Sequence, residues 1–178
     1  MLNPRLSALI SIVIGAALSR LVPHPPNVTS VASVALFSGA YFADKRLALA
    51  VPLAALLLSD SILGFYRHME VVYLSFALVV CLGFTLSERP SVLRIATTAA
   101  AASTVFFILT NFGVWAFDAL YPHTLQGLAE CYLLALPFFA HTVIGDLFYT
   151  ALLFGGFALL QNRFPVLRPA LIQTFSRG

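Results

Sequence analysis

Two carboxylates and one thiol stand where water is scarce. Asp60 lies in Leu58-Ser59-Asp60 and Asp146 in Gly145-Asp146, each inside a long apolar run, and Cys81 lies in another. An ionisable group in hydrocarbon is costly, so each needs a partner, a water-filled cavity or a functional reason. For the carboxylates one reading is a polar clasp between helices, satisfied by Asn111 or by tyrosine and serine hydroxyls. The other is a site for a solute or a proton, and a clasp lining a cavity would serve both purposes.

Cys81 follows Glu70 by eleven residues on a helix entering from the outer side, which places it about 16 Å down, near mid-membrane. Apolar surroundings keep a thiol protonated and inert unless a metal displaces the proton. Ordinary packing is therefore one reading of Cys81, and an axial thiolate ligand for a cobalt or iron centre is the other. Cys131 falls at the outer end of the last apolar run, out of reach of a bond to Cys81. The histidines make a poor metal site: His24, His68 and His123 fall in three different outer loops and His141 is alone in a span.

Aromatic and hydrogen-bonding residues gather towards the same outer ends, in Leu63-Gly64-Phe65-Tyr66, Asn111-Phe112-Gly113-Val114-Trp115, Tyr121-Pro122 and Cys131-Tyr132. An interfacial belt explains single rings. Asn111 and the long loop 118–130 better suit a lid over a large amphipathic ligand.

What must position these residues is a membrane bundle. Of 178 residues, 60% are hydrophobic and only 10% charged, against about 25% charged in soluble domains. That composition argues against a soluble enzyme, a disordered tail, a disulfide scaffold or a nucleic-acid binder, and it fits a single integral membrane domain over 1–178. Apolar runs cover 6–22, 28–42, 47–65, 71–86, 92–117 and 131–160, broken by charged and turn residues. A crossing helix needs roughly 20 apolar residues, and none of the runs alternates as a barrel strand would. The predicted fold is all-α, a bundle of six transmembrane helices.

Two runs are irregular. The second would reach only about 22 Å, which implies a short helix shielded by neighbours or a re-entrant segment. The last is too long, and Pro137 predicts a kink or an outer turn before the true span. Six crossings leave both termini on one side, with Arg5, Lys45, Arg46, Arg89, Arg94, Arg163, Arg168 and Arg177, against Arg20 and Arg67 on the other. This bias makes the termini cytoplasmic. The first run also has the layout of a signal peptide, although removing it would leave five crossings and spoil the bias. Its small residues Ser7, Ser11, Gly15 and Ser19 form a stripe for close packing, within the bundle or against a partner.

The motifs Pro23-His24-Pro25-Pro26-Asn27, Leu58-Ser59-Asp60 through Gly64-Phe65, Val72-Tyr73-Leu74-Ser75-Phe76, Thr110 to Trp115, Tyr121-Pro122 with Gly127-Leu128, and Cys131-Tyr132 with Pro137-Phe138-Phe139 give the chain a resemblance along nearly its whole length. It resembles small bacterial membrane proteins related to the substrate-binding S components of energy-coupling-factor transporters, and Cys81 makes it most similar to the solitary cobalamin S components of the BtuM type. The resemblance implies capture and uptake of cobalamin or its precursor cobinamide at the inner membrane of a Gram-negative bacterium. It implies Cys81 as the cobalt ligand; the thiol's own chemistry, displacing cyanide from cyanocobalamin, makes Cys81 the candidate catalytic group. Asp60, Tyr66, Asn111, Trp115, Tyr132 and Asp146 become pocket positions. The Ala-xxx-Ala of S components that share an energising module is missing, since Ala8 is followed by Ile12, which agrees with a solitary protein in the lipid bilayer. The alternatives are an S-type binder of another vitamin, in which Cys81 is packing, and a membrane-embedded metal or redox enzyme using Asp60, Asp146 and the histidines.

Overall fold

The structure, a computed structural model, describes residues 3–23, 28–86 and 90–169. His24, Arg89, Arg177 and most of the Pro-His-Pro-Pro-Asn motif lie outside the described residues. Six helices follow one another: α1 (Pro4–Leu18), extended by a 3-10 turn Ser19–Leu21, α2 (Val31–Tyr41), α3 (Lys45–Leu63), α4 (Met69–Gly83), α5 (Val92–Phe117) and α6 (Leu125–Arg163), with a second 3-10 turn at Pro165–Leu167. No strand occurs among the described residues. Four helical stretches, Pro4–Leu21, Lys45–Leu63, Val92–Phe117 and Leu125–Arg163, are long and apolar enough to cross a membrane, and α2 and α4 are shorter apolar helices.

Local chemistry sets the starts. The side chains of Asn3, Asp44, Ser91 and Thr124 accept hydrogen bonds from the backbone N–H groups of Arg5, Arg46, Arg94 and Gly127, each satisfying a donor that the helix itself leaves open. The end of the chain differs from the expected pattern. Helix α6 starts at Leu125, six residues before the apolar run, and continues through Pro137 over 39 residues. No separate outer turn precedes it, because Thr124 caps the polar first turn directly onto the apolar stretch.

The short α2 is the axis of the molecule. It packs against α1, α3, α4, α5 and α6, and every residue from Ala32 to Tyr41 is buried. At about 16 Å it cannot span hydrocarbon alone, and the neighbours shield it, the first of the two arrangements its length allowed. Small side chains permit this crowding. Gly39 of α2 and Gly83 of α4 touch: a Cβ on Gly39 would strike the Val80 carbonyl oxygen, and one on Gly83 the Leu36 carbonyl oxygen. Two residues before Gly39, Phe37 meets Phe154 and Phe157 edge-on, at 5.5 Å between centroids in both cases, a favoured aromatic geometry.

Successive helices run in alternating directions. At one end Arg5 donates to the carbonyls of Leu167 and Tyr41, Lys45 sits over the Phe84 ring, and Arg94 donates to the carbonyl of Thr85. The starts of α1, α3 and α5 thus meet the finishes of α2, α4 and α6, and this basic end carries most of the described cations. The stripe on α1 points away from the bundle at its centre, where Ser11 and Gly15 are exposed, while Leu9, Val13 and Ala17 face inward.

Candidate functional site

Asp60 sits in the last turn of α3, at the end opposite the basic one, and its side chain is 1% exposed. The Arg20 Nη1 group, on the turn after α1, approaches Asp60 Oδ1 at 2.7 Å and donates to Ser59 Oγ at 2.6 Å. Tyr73 of α4 donates to Asp60 Oδ2 at 2.9 Å. One carboxylate thereby ties α1, α3 and α4 together, with both oxygens satisfied, as a buried charge requires. Gly64, at φ 100°, turns the chain out of α3 in a conformation that glycine adopts without strain. It delivers the half-exposed Tyr66 beside this clasp. Burial first, and the Asp60 charge second, raise the Tyr66 hydroxyl's pKa above the ordinary value, with Arg20 opposing.

Asp146 has a different setting. It is buried in the middle of α6, between α2 and α5. Ser103 of α5 bonds its Oδ2 at 2.6 Å, and Ser33 of α2 donates to its backbone carbonyl at 2.8 Å. Thr150 donates in turn to Ser33 at 3.1 Å. Among the described residues no cation pairs with it.

The α5 and α6 residues hold those two helices and their loop together. Asn111 donates to Phe107 O at 2.8 Å and satisfies neither carboxylate. Tyr132 donates to Ile108 O at 2.7 Å and Cys131 to Asn111 O at 3.4 Å. Trp115 Nε1 donates to Pro122 O at 3.0 Å, and Gly127 lies so close to Pro122 O that no side chain would fit. His68 adds a contact to Asp118 at 3.3 Å. The loop expected as a lid is therefore only the short stretch between α5 and α6, and it is strapped down. Next to these residues a cavity of about 230 Å³ is lined by Asn111, Thr110, Thr142 and phenylalanines including Phe107 and Phe138.

Cys81 stands apart from all of these groups. It is a free, exposed thiol, two residues before the end of α4 and so nearer the basic end than mid-helix. Leu78 and Leu74, one and two turns earlier, are exposed with it. Phe76, Val79, Val80 and Gly83, on the other side of the helix, are buried. A helix of 3.6 residues per turn puts these groups on opposite faces, so the thiol looks out from the flank of the bundle. It lines neither described cavity.

The candidate residues thus fall into separate groups: Asp60 with Tyr66, Asn111 with Trp115 and Tyr132, Asp146, and Cys81. They do not converge on one cavity. The tyrosine and serine hydroxyls expected on the carboxylates are there as Tyr73 and Ser103, whereas Arg20 is a partner that residue-type reasoning missed. Arg20 was readable only as a topological charge, although an arginine and an aspartate at the same ends of neighbouring apolar helices is a pairing signal. A larger cavity of about 720 Å³ lies at the basic end between α5 and α6, lined by none of the expected residues. Among the described residues no three His, Cys, Asp or Glu side chains come together as a metal site.

The sequence model described as a family of unknown function (DUF6580) matches residues 1–167. No curated protein and no solved structure matches the chain.

Proposed function

The chain belongs to the DUF6580 family, and we propose that its function is to bind cobalamin or cobinamide at the bacterial inner membrane and carry it across, with Cys81 as axial ligand to cobalt. In this reading all six helices cross the bilayer, α2 and α4 being carried by their neighbours, and both termini are cytoplasmic. The concentration of arginine and lysine at one end supports that orientation.

The observation that carries the reading is the chemistry of Cys81: a free thiol, exposed, on a helix face otherwise made of apolar side chains. A soft sulfur donor there is a competent ligand for cobalt. The corrinoid, as cargo, would meet it on the flank of α4, where Leu74 and Leu78 offer an apolar bed for the ring. Tyr66 and Trp115 stand at the opposite end from the basic residues, about 18 Å along α4 from Cys81, so they are candidates for the entry path and not for the rim of a ring held at the thiol. Asp60, Asn111, Tyr132 and Asp146 contribute indirectly, since their polar atoms already hold helices together.

If the cargo is cyanocobalamin, sulfur replaces cyanide at cobalt: a cobalt–sulfur bond forms, cyanide leaves with its electron pair and takes up the thiol proton, and cobalt keeps its oxidation state. Visible spectra of the purified, corrinoid-loaded protein test this. The expected result is a spectrum distinct from free cyanocobalamin that Cys81→Ala abolishes, whereas the same spectrum in the Cys81→Ala protein would dismiss cobalt–sulfur bonding. A cobalamin-dependent strain lacking its own inner-membrane importer should grow on trace cobalamin when it expresses this chain.

A further inference from the structure

The cavity at the basic end supports a second assignment, independent of the corrinoid reading. It lies between α5 and α6 where the side chains are small: Ala96 on α5 and Ala151, Gly155 and Ala158 on α6 line it. Its lining also includes Tyr41, Thr150 and Phe154, all buried in the protein core. The feature is therefore a recess reaching behind the outer ring of helices, and not a flat lipid-facing strip.

From Leu147 at its deep end to Asn162 at its mouth the recess follows α6 for about 22 Å, which exceeds one leaflet's share, about 15 Å, of a hydrocarbon core. Apart from Tyr41 and Thr150, whose hydroxyl donates to Ser33, its walls are apolar, and Gln161, Asn162 and Arg168 stand at the mouth. Arg168 is held there by its Nε donating to Gln161 O at 3.0 Å, and Gln161 Nε2 donates to Leu167 O at 3.3 Å. Among the described residues that line the recess, Arg168 is the charged one.

A dry void of about 720 Å³ would forfeit dispersion contacts along its whole lining, and apolar walls hold water poorly. We propose that the recess is a binding site for one anionic phospholipid, with an acyl chain between α5 and α6 and the phosphate at Arg168. The small side chains make room for the chain, and the guanidinium, a preferred phosphate partner, selects the headgroup.

Native mass spectrometry of the full chain with phosphatidylglycerol and phosphatidylcholine tests the assignment. One phosphatidylglycerol should stay bound in preference to phosphatidylcholine. Arg168→Gln should reduce that preference about fivefold, and Ala151→Trp, which fills the recess, should remove the bound lipid of either kind. Equal retention of lipid in the Ala151→Trp protein would overturn the proposal. A photo-crosslinking benzophenone side chain at position 158 of the otherwise unchanged protein gives an independent reading. Lipid adducts are expected, while adducts confined to residues 170–178 or to a second copy of the chain would assign the recess to protein and overturn it.

Discussion

Asp60 and Asp146 are the same residue type, both buried in apolar helices, and they are kept there by different means. Asp60 is matched by charge: Arg20 meets one oxygen and Tyr73 the other. Asp146 is matched by hydroxyls, with Ser103 on its carboxylate and Ser33 on its backbone carbonyl. The first site is near the end of the bundle, where Arg20, 15% exposed, can keep part of its guanidinium near water. The second is deep, where a cation would itself need solvating. The contrast shows how depth decides which partner a carboxylate takes, since an ion pair must repay the desolvation of two charges and a hydroxyl contact of one.

Paired substitutions sharpen this contrast. The largest effect is expected for Asp60→Asn, which leaves the Arg20 cation without its counter-charge and should cost about 3 kcal/mol of stability in detergent unfolding. Adding Arg20→Met to Asp60→Asn should recover at least half of that loss. Failure to recover would show that the cost is not an orphaned cation. Tyr73→Phe removes one hydrogen bond to a charged group and should cost about 1.5 kcal/mol by the same measurement.

Asp146→Asn should be the mildest, below about 1 kcal/mol. The Ser103 hydroxyl has one proton and two acceptors within reach, Asp146 Oδ2 and Ala99 O. An amide at position 146 can donate to Ser103 Oγ and release the serine proton to Ala99. A loss as large as that of Asp60→Asn would break the comparison, because it would mean that the Asp146 charge has a counter-ion or an essential role of its own.

Much of this architecture was readable from residue order. Apolar length and charged breaks located all six helices, and the shortness of the second run left a shielded helix or a re-entrant segment, of which the structure has the shielded helix. Both carboxylates stood out because aspartate in such runs needs an explanation. The cationic partner was legible only as a charge at a matching helix end: Arg20 reaches Asp60 across 40 residues of chain, and the packing of α1 on α3 brings them together. The direction of Cys81 was equally hidden. Helix α4 is apolar on every side, with Leu74 and Leu78 outside and Phe76, Val79 and Val80 inside, so no polarity difference marks the inner face. The recess was missed because it is a space between Ala96, Ala151, Gly155 and Ala158, and an absence of side-chain volume leaves no motif.

The enclosure of α2 has a consequence for biosynthesis. A segment this short has no stable place in lipid by itself, and its Gly39 seat is completed only by Gly83, which the ribosome adds 44 residues later. During translation the second helix must therefore wait, held by α1 and α3 or by the insertion machinery, until the fourth arrives. Chains stopped before residue 83 lack the partner for Gly39 and should be cleared by membrane proteases faster than the full chain.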